Sequence, residues 1–145
     1  MTGSYILLIK LSEGQAITLG RRQNIYFPRG NYAYVGSAMG GFKARLSHHL
    51  KGSKKAHWHI DYLLSKASIT GGILCETENR IECAIARALS HQFDSISGFG
   101  CSDCRCPSHL FFATDENQMK LTIMATFNSL GIEPRLIVGS SVTAW

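Results

Sequence analysis

The sequence predicts an α/β fold, or an α+β fold if its early strands form antiparallel hairpins, in one domain spanning residues 1–145. Three observations point there. Short β-forming runs broken by Gly, Pro, Asn and Ser occupy the first 36 positions. Segments with apolar residues at helical spacing follow from residue 41 onward, and two further strand-like runs fall between those helices.

The elements follow in order. Ser4–Leu11 (SYILLIKL) is an apolar run rich in β-formers and reads as a buried strand. Ser12-Glu13-Gly14 supplies a turn, Ala16–Leu19 reads as the hairpin partner of that strand, and Asn24–Phe27 as another short strand ended by Pro28-Arg29-Gly30. Asn31–Gly36 (NYAYVG) is a strand whose Tyr32 and Tyr34 share one face by the two-residue period. Gly40-Gly41 opens a helix to about Leu50, with Gly52 as its stop, and a second helix fits His57–Ala67. Ile69–Cys75 is a strand, Asn79–Phe93 the clearest helix, and residues 94–108 a loop. Leu110–Ala113 is a short strand, Asp115 caps a last helix to Leu130, and Arg135–Val138 adds an edge strand.

Composition bounds the function. A chain of 145 residues with 45% hydrophobic and 17% charged residues can bury a core without disulfides, and it is not a disordered tail. Its longest aliphatic and aromatic run, Tyr5–Ile9, is far short of the roughly 20 residues a bilayer span needs. No basic leader precedes an apolar stretch, so the expectation is a cytosolic (cytoplasmic) protein with no membrane partner. Five cysteines (75, 83, 101, 104 and 106), three of them within six positions, favour thiols or metal ligands over a disulfide framework in a reducing compartment.

The net charge of +5 is unevenly spread. Residues 1–66 hold ten Lys/Arg against two acids (Glu13 and Asp61), a net +8; residues 67–145 hold five against eight, a net −3. The excess is densest over Lys43, Arg45, Lys51, Lys54, Lys55 and Lys66, interleaved with four histidines and with Phe42, Trp58 and Tyr62. A basic stripe broken by aromatics suits a phosphate backbone; a solvated helix face kept soluble by lysines has the same composition.

Several familiar motifs fail. In Gly36-Ser37-Ala38-Met39-Gly40-Gly41-Phe42-Lys43 the lysine does not directly follow the last glycine and no Ser/Thr follows it, so this is no nucleotide-triphosphate loop. Cys101-x-x-Cys104 lacks the His-x-Glu of a deaminase, and His57-x-His59 lacks the spacing and glutamate of a zincin.

What remains coheres. Tyr5 lies near the start of the first strand, Tyr34-Val35-Gly36 ends another, Arg45 follows nine positions after Gly36, His49 lies one helical turn beyond Arg45, and Glu82 lies early in the long helix. This arrangement resembles the GIY-YIG nuclease superfamily, with Gly3-Ser4-Tyr5 and Tyr34-Val35-Gly36 as its two half-motifs. It is most similar to one largely archaeal subfamily of small domains, some fused to base-excision repair enzymes. The resemblance is carried by GNYAYVGSAMGGFKARLSHHL (30–50), KKAHWHIDYLL (54–64), Glu82-Cys83 and GFGCSDCRCPSHLFF (98–112). It implies a small central, mainly antiparallel sheet flanked by helices. The 28 residues separating Tyr5 from Tyr34 depart from the superfamily's closer spacing and imply an inserted hairpin at roughly residues 12–27.

The resemblance also implies phosphodiester hydrolysis, which needs an activated water and neutralised charge on phosphorus and leaving oxygen. Arg45 suits the phosphate clamp. Glu82 suits a single Mg²⁺ or Mn²⁺, although Asn79-x-x-Glu82 also reads as a helix capping box. Tyr5 or Tyr34 would be the general base, its phenol lowered from about 10 by Arg45, Lys43 or the metal, with packing against the sheet as the competing role. His49 would contact phosphate or relay a proton, and His48 reads as a surface residue. Lys43, Lys51, Lys54, Lys55, His57 and His59 form the expected nucleic-acid contact set, with His57, His59 and Asp61 an added wall of the site.

Cys101, Cys104, Cys106 and His109 offer four zinc ligands in nine residues, with His57, His59, Cys75 and Cys83 elsewhere in the chain, although the single-residue gap between Cys104 and Cys106 is awkward for chelation by both. The expected function is a metal-dependent endonuclease acting on DNA in repair or processing, with RNA as an alternative substrate and a repair protein as an expected partner. The alternative is a non-catalytic, zinc-stabilised nucleic-acid-binding module on the same fold.

Overall fold

The nine residues Gly3–Leu11 (β1) are buried at every position but Lys10, the pattern of a strand covered on both faces. A computed structural model describes residues 2–20, 23–39, 41–50, 58–101 and 105–138. In it β1 lies inside a six-stranded sheet, between β4 (Gly30–Ala38) and β5 (Ser68–Glu76). Outward from β4 come β7 (Leu110–Ala113) and β6 (Asp94–Ser95), and outward from β5 comes β8 (Arg135–Val138). Every pairing is antiparallel, so the α+β form of the expected fold is the one adopted.

The inserted hairpin expected at roughly residues 12–27 is present, but Ala16–Leu19 is not the partner of the first strand. β2 (Gln15–Leu19) pairs with β3 (Gln23–Phe27) in a separate two-stranded sheet, not with β1. The reason is that both edges of β1 are taken along its length by β4 and β5, which leaves β2 no edge to join. The hairpin instead caps one face of the main sheet with Ile17, Leu19 and Phe27.

The alternation along β1 sorts the core into two layers. Tyr5, Leu7, Ile9 and Leu11 face the hairpin together with Phe42 of α1 (Phe42–Leu50) and Ile60 and Leu63 of α2 (His59–Leu64). Ile6 and Leu8 face Ile85 and Leu89 of α3 (Glu82–Ser90) and Met119, Ile123 and Phe127 of α4 (Glu116–Ser129). Each fully buried Leu or Ile here contributes about 1.5–3 kcal/mol relative to exposure.

Local chemistry sets the helix bounds. Gly41, at φ 116°, provides a backbone conformation that side-chain-bearing residues rarely adopt, and its carbonyl accepts the Arg45 N–H at 3.4 Å to open α1. Helix α2 is shorter than expected because Trp58 is extended and serves as its cap; His57 and Gly52 lie outside the described residues. Helix α3 also starts later, at Glu82, and ends at Ser90. At the last helix Asp115 is the N-cap, its Oδ1 accepting the Gln118 N–H at 3.0 Å. Among the described residues no helix is long and apolar enough to cross a membrane.

Candidate active site

Antiparallel pairing of β1 with β4 lays the two half-motifs side by side: Tyr5 opposes Gly36, Ser4 opposes Ser37 and Gly3 opposes Ala38. The close approach explains the glycine. A Cβ at position 36 would overlap the Tyr5 ring, so only glycine lets the tyrosine lie across the neighbouring strand.

From there Tyr5 reaches helix α1. Its hydroxyl lies 2.6 Å from His49 Nε2, and both residues are buried. Tyr34 completes the group, with ring centroids 6.4 Å from Tyr5 and 6.2 Å from His49. Burial pushes the Tyr5 phenol well above its usual range; Tyr34 reinforces the shift, and Arg45 opposes it through its charge and a hydrogen bond. Tyr34 is pushed up to about 12, again by burial, with Arg45 opposing. Arg45 thus acts in the expected direction on both phenols, but burial outweighs it. Both tyrosines are therefore neutral at physiological pH, so the short Tyr5–His49 contact is a hydrogen bond between a neutral phenol and the imidazole.

Arg45 sits one turn before His49, as the i,i+4 spacing requires. Its guanidinium carbon lies 4.4 Å from the centre of the Trp58 ring, a stacked arrangement that leaves the planar edge able to donate. Trp58 is held in turn by Asp61, whose Oδ2 accepts the Trp58 backbone N–H at 2.8 Å while Oδ1 lies 3.1 Å from His48 Nε2. Asp61 is only 3% exposed, so these two contacts matter to a buried carboxylate. His48 also lies 4.7 Å from the Trp58 ring centre; it is half-buried against this group and is not the surface residue expected. The sequence signal for Asp61 was its rarity, one of two acids in the first 66 residues.

Other predicted contacts separate from this group. His59 Nδ1 accepts the Gly100 N–H at 3.0 Å and its ring lies 5.5 Å from Phe99, so it buttresses the loop before β7. Lys51, Lys54, Lys55 and His57 lie outside the described residues, as does the side chain of Lys43.

Glu82 is the first residue of α3, not the third, with Ile81 as N-cap. Asn79 lies in the preceding turn, its N–H bonded to Thr77 Oγ1 at 3.1 Å, so the capping-box alternative is not formed. The register pairs Gly3 with both Ala38 and Glu76, so α3 begins at the sheet end that carries Tyr5 and Gly36. It packs on the opposite face, and Glu82 Oε1 lies 3.8 Å from exposed Arg80. Its Oε2 is buried and has no hydrogen-bond partner among the described residues. A buried carboxylate oxygen without a donor is costly, and it fits a hard divalent cation, which takes oxygen ligands.

A second cluster lies beside Glu82. Ligand atoms of Cys83, Cys106 and His109 all lie within 4.8 Å of one another, a group able to hold a metal ion. The expected quartet is thereby altered: Cys83 joins from α3, whereas the Cys101 thiol points to the Phe99 carbonyl at 3.3 Å and Cys104 is outside the described residues. Spacing does not single out Cys83, 23 positions from Cys106, among the histidines and cysteines elsewhere in the chain.

The family model described as "Domain of unknown function DUF123" matches residues 4–132. The chain belongs to this family. The DUF123 match runs from β1 to the end of α4 and contains Tyr5, Tyr34, Arg45, His49, Glu82 and the cysteine cluster. Comparison with curated proteins finds no match, and neither does comparison with solved structures.

Proposed function

We propose that this DUF123 protein is a metal-dependent endonuclease of GIY-YIG type that hydrolyses DNA phosphodiester bonds in repair or processing. The observation that carries the reading is the Tyr5 hydroxyl bonded to His49 Nε2 beside Arg45, on a helix in the basic half of the chain. The in-register half-motifs support it.

In this mechanism Tyr5 Oη takes a proton from the attacking water as its own proton passes to His49 Nε2, so no free phenolate is needed. The hydroxide adds to phosphorus, the bond to the leaving oxygen breaks, and that oxygen takes a proton from solvent. Arg45, held over Trp58, donates to the phosphoryl oxygens as charge builds. Glu82 would hold one Mg²⁺ or Mn²⁺, which when bound neutralises charge on the phosphate and the leaving oxygen.

Nicking of supercoiled plasmid with Mg²⁺ or Mn²⁺ tests the reading. Wild type should nick, and Arg45→Ala and Glu82→Ala should not. Equal nicking by Glu82→Ala would overturn the assignment. A second reading, a non-catalytic zinc-held nucleic-acid-binding module, is favoured by the Cys83–Cys106–His109 cluster. It requires salt-sensitive DNA binding and no cleavage with either ion.

A further inference from the structure

We propose that Cys83, Cys106 and His109 form a binding site for one zinc-class ion that pins the start of α3 to strand β4. The geometry of the histidine is the first argument. His109 Nδ1 lies 3.0 Å from the Val35 carbonyl, a bond that the imidazole makes as donor. The proton is thereby placed on Nδ1, which leaves the Nε2 lone pair directed at Cys83 Sγ, 4.0 Å away. A ligand histidine whose other ring nitrogen donates to a backbone carbonyl is the usual outer support of a metal centre.

Distance is the second argument. Tetrahedral zinc with Zn–S near 2.3 Å and Zn–N near 2.0 Å holds its sulfur and nitrogen donors about 3.6 Å apart. The three ligand atoms, within 4.8 Å of one another, need to close only slightly. Two thiols and an imidazole are soft or borderline donors, which select zinc over Mg²⁺ or Mn²⁺. Binding releases both thiol protons to solvent and leaves one coordination position for water or a further donor.

The fold gives the site a task. His109 is tied to Val35 twice, since the Val35 N–H also donates to the His109 carbonyl at 2.9 Å. Val35 lies between Tyr34 and Gly36, and Cys83 directly follows Glu82. A metal bridging His109 and Cys83 therefore links the strand carrying one half-motif to the helix carrying the acid. That positioning role rests on the proposed endonuclease function; the metal site itself does not.

The test uses the full chain purified under reducing conditions. Metal analysis should find one zinc per chain. Replacement by Co²⁺ should give thiolate-to-cobalt charge-transfer and tetrahedral d–d bands, which Cys83→Ser and Cys106→Ser weaken and Cys75→Ala retains. Chelation should lower Tm by at least about 5 °C, a shift worth over 1 kcal/mol for a chain of this size. Reduced wild type without thiolate–cobalt bands would overturn the site without needing any variant to fold. Unaltered bands in Cys83→Ser would do the same. These readouts are independent of cleavage, so loss of the metal site and loss of the nuclease reading are separable.

Discussion

Tyr5 and His49 stand 44 positions apart in the chain, yet the phenol oxygen and Nε2 are 2.6 Å apart in the core between strand β1 and helix α1. Burial keeps the tyrosine protonated, and the imidazole is the titratable partner within hydrogen-bond reach of its hydroxyl. The pair couples a proton acceptor to a sheet position beside Gly36, with Arg45 one helical turn away. Placement and proton inventory thus both come from desolvation of a polar pair at one end of the sheet.

Replacing Tyr5 by Phe keeps the ring over Gly36 and removes only the donor. Stability should fall by about 0.5–1.5 kcal/mol, the usual worth of one such bond. Cleavage should fall by about 10²–10⁴-fold if the phenol relays the proton. Nicking rates and urea midpoints of the two proteins check both, and an unchanged rate excludes the relay.

Gly36→Ala places a methyl into the Tyr5 ring. Overpacking at a strand with both neighbours fixed should cost about 1–3 kcal/mol, read as a lowered denaturant midpoint. The same substitution in a Tyr5→Ala background should be much milder, because the clashing ring is gone. Equal losses in both backgrounds would place the requirement for glycine in the backbone instead.

Alkaline pH should unfold the protein early. The folded-state values of Tyr5 and Tyr34 are raised, the latter to about 12, so the native state binds these protons more tightly than the unfolded chain. The stability they confer is complete below pH 10 and is lost as pH climbs toward 12 and beyond. Tm measured across that window should decline, and tyrosinate absorbance should show these buried phenols ionising late, together with unfolding. Ionisation of Tyr5 and Tyr34 with midpoints near pH 10 in folded protein would contradict the burial.

Much of this was legible in the residue order. The apolar run of β1, the alternation in NYAYVG, the Gly41 start of α1 and the Asp115 cap are local signals, and each element appears where those signals put it. What failed was non-local. The pairing of β2 depended on whether β1 had a free edge, which only β4 and β5 decide. Cys83 joined Cys106 and His109 through packing of α3 on the sheet, and His48 was drawn inward by Asp61. The net rise of the tyrosines was not legible, because residue type reveals a nearby arginine but not the depth of burial.

Asp61→Asn isolates the support beneath Arg45. Asp61 accepts the Trp58 N–H and pairs with His48 while almost wholly buried. An amide can present its oxygen to only one of these partners, so stability should fall by about 1–3 kcal/mol. With Trp58 loosened, the Arg45 stack should loosen too, and on the proposed function DNA affinity should fall more at low salt than at high salt. Fluorescence of Trp58 and a salt series of binding constants follow the two effects, and a normal Trp58 signal with normal stability would remove Asp61 from the site.

Glu82→Gln separates function from stability. The wild-type carboxylate holds a buried oxygen with no donor and a long 3.8 Å contact to exposed Arg80, an arrangement that favours a cation more than it favours the fold. Removing the charge should leave Tm unchanged or raise it, while abolishing cleavage in Mg²⁺ and Mn²⁺. Divalent ion should stabilise the wild type, by about 2.7 kcal/mol at 100-fold over its Kd, and leave the variant unaffected. Thermal melts with and without Mn²⁺ beside the nicking assay make the comparison. A variant that is destabilised and still responds to Mn²⁺ would show that Glu82 supports the helix and that the cation binds elsewhere.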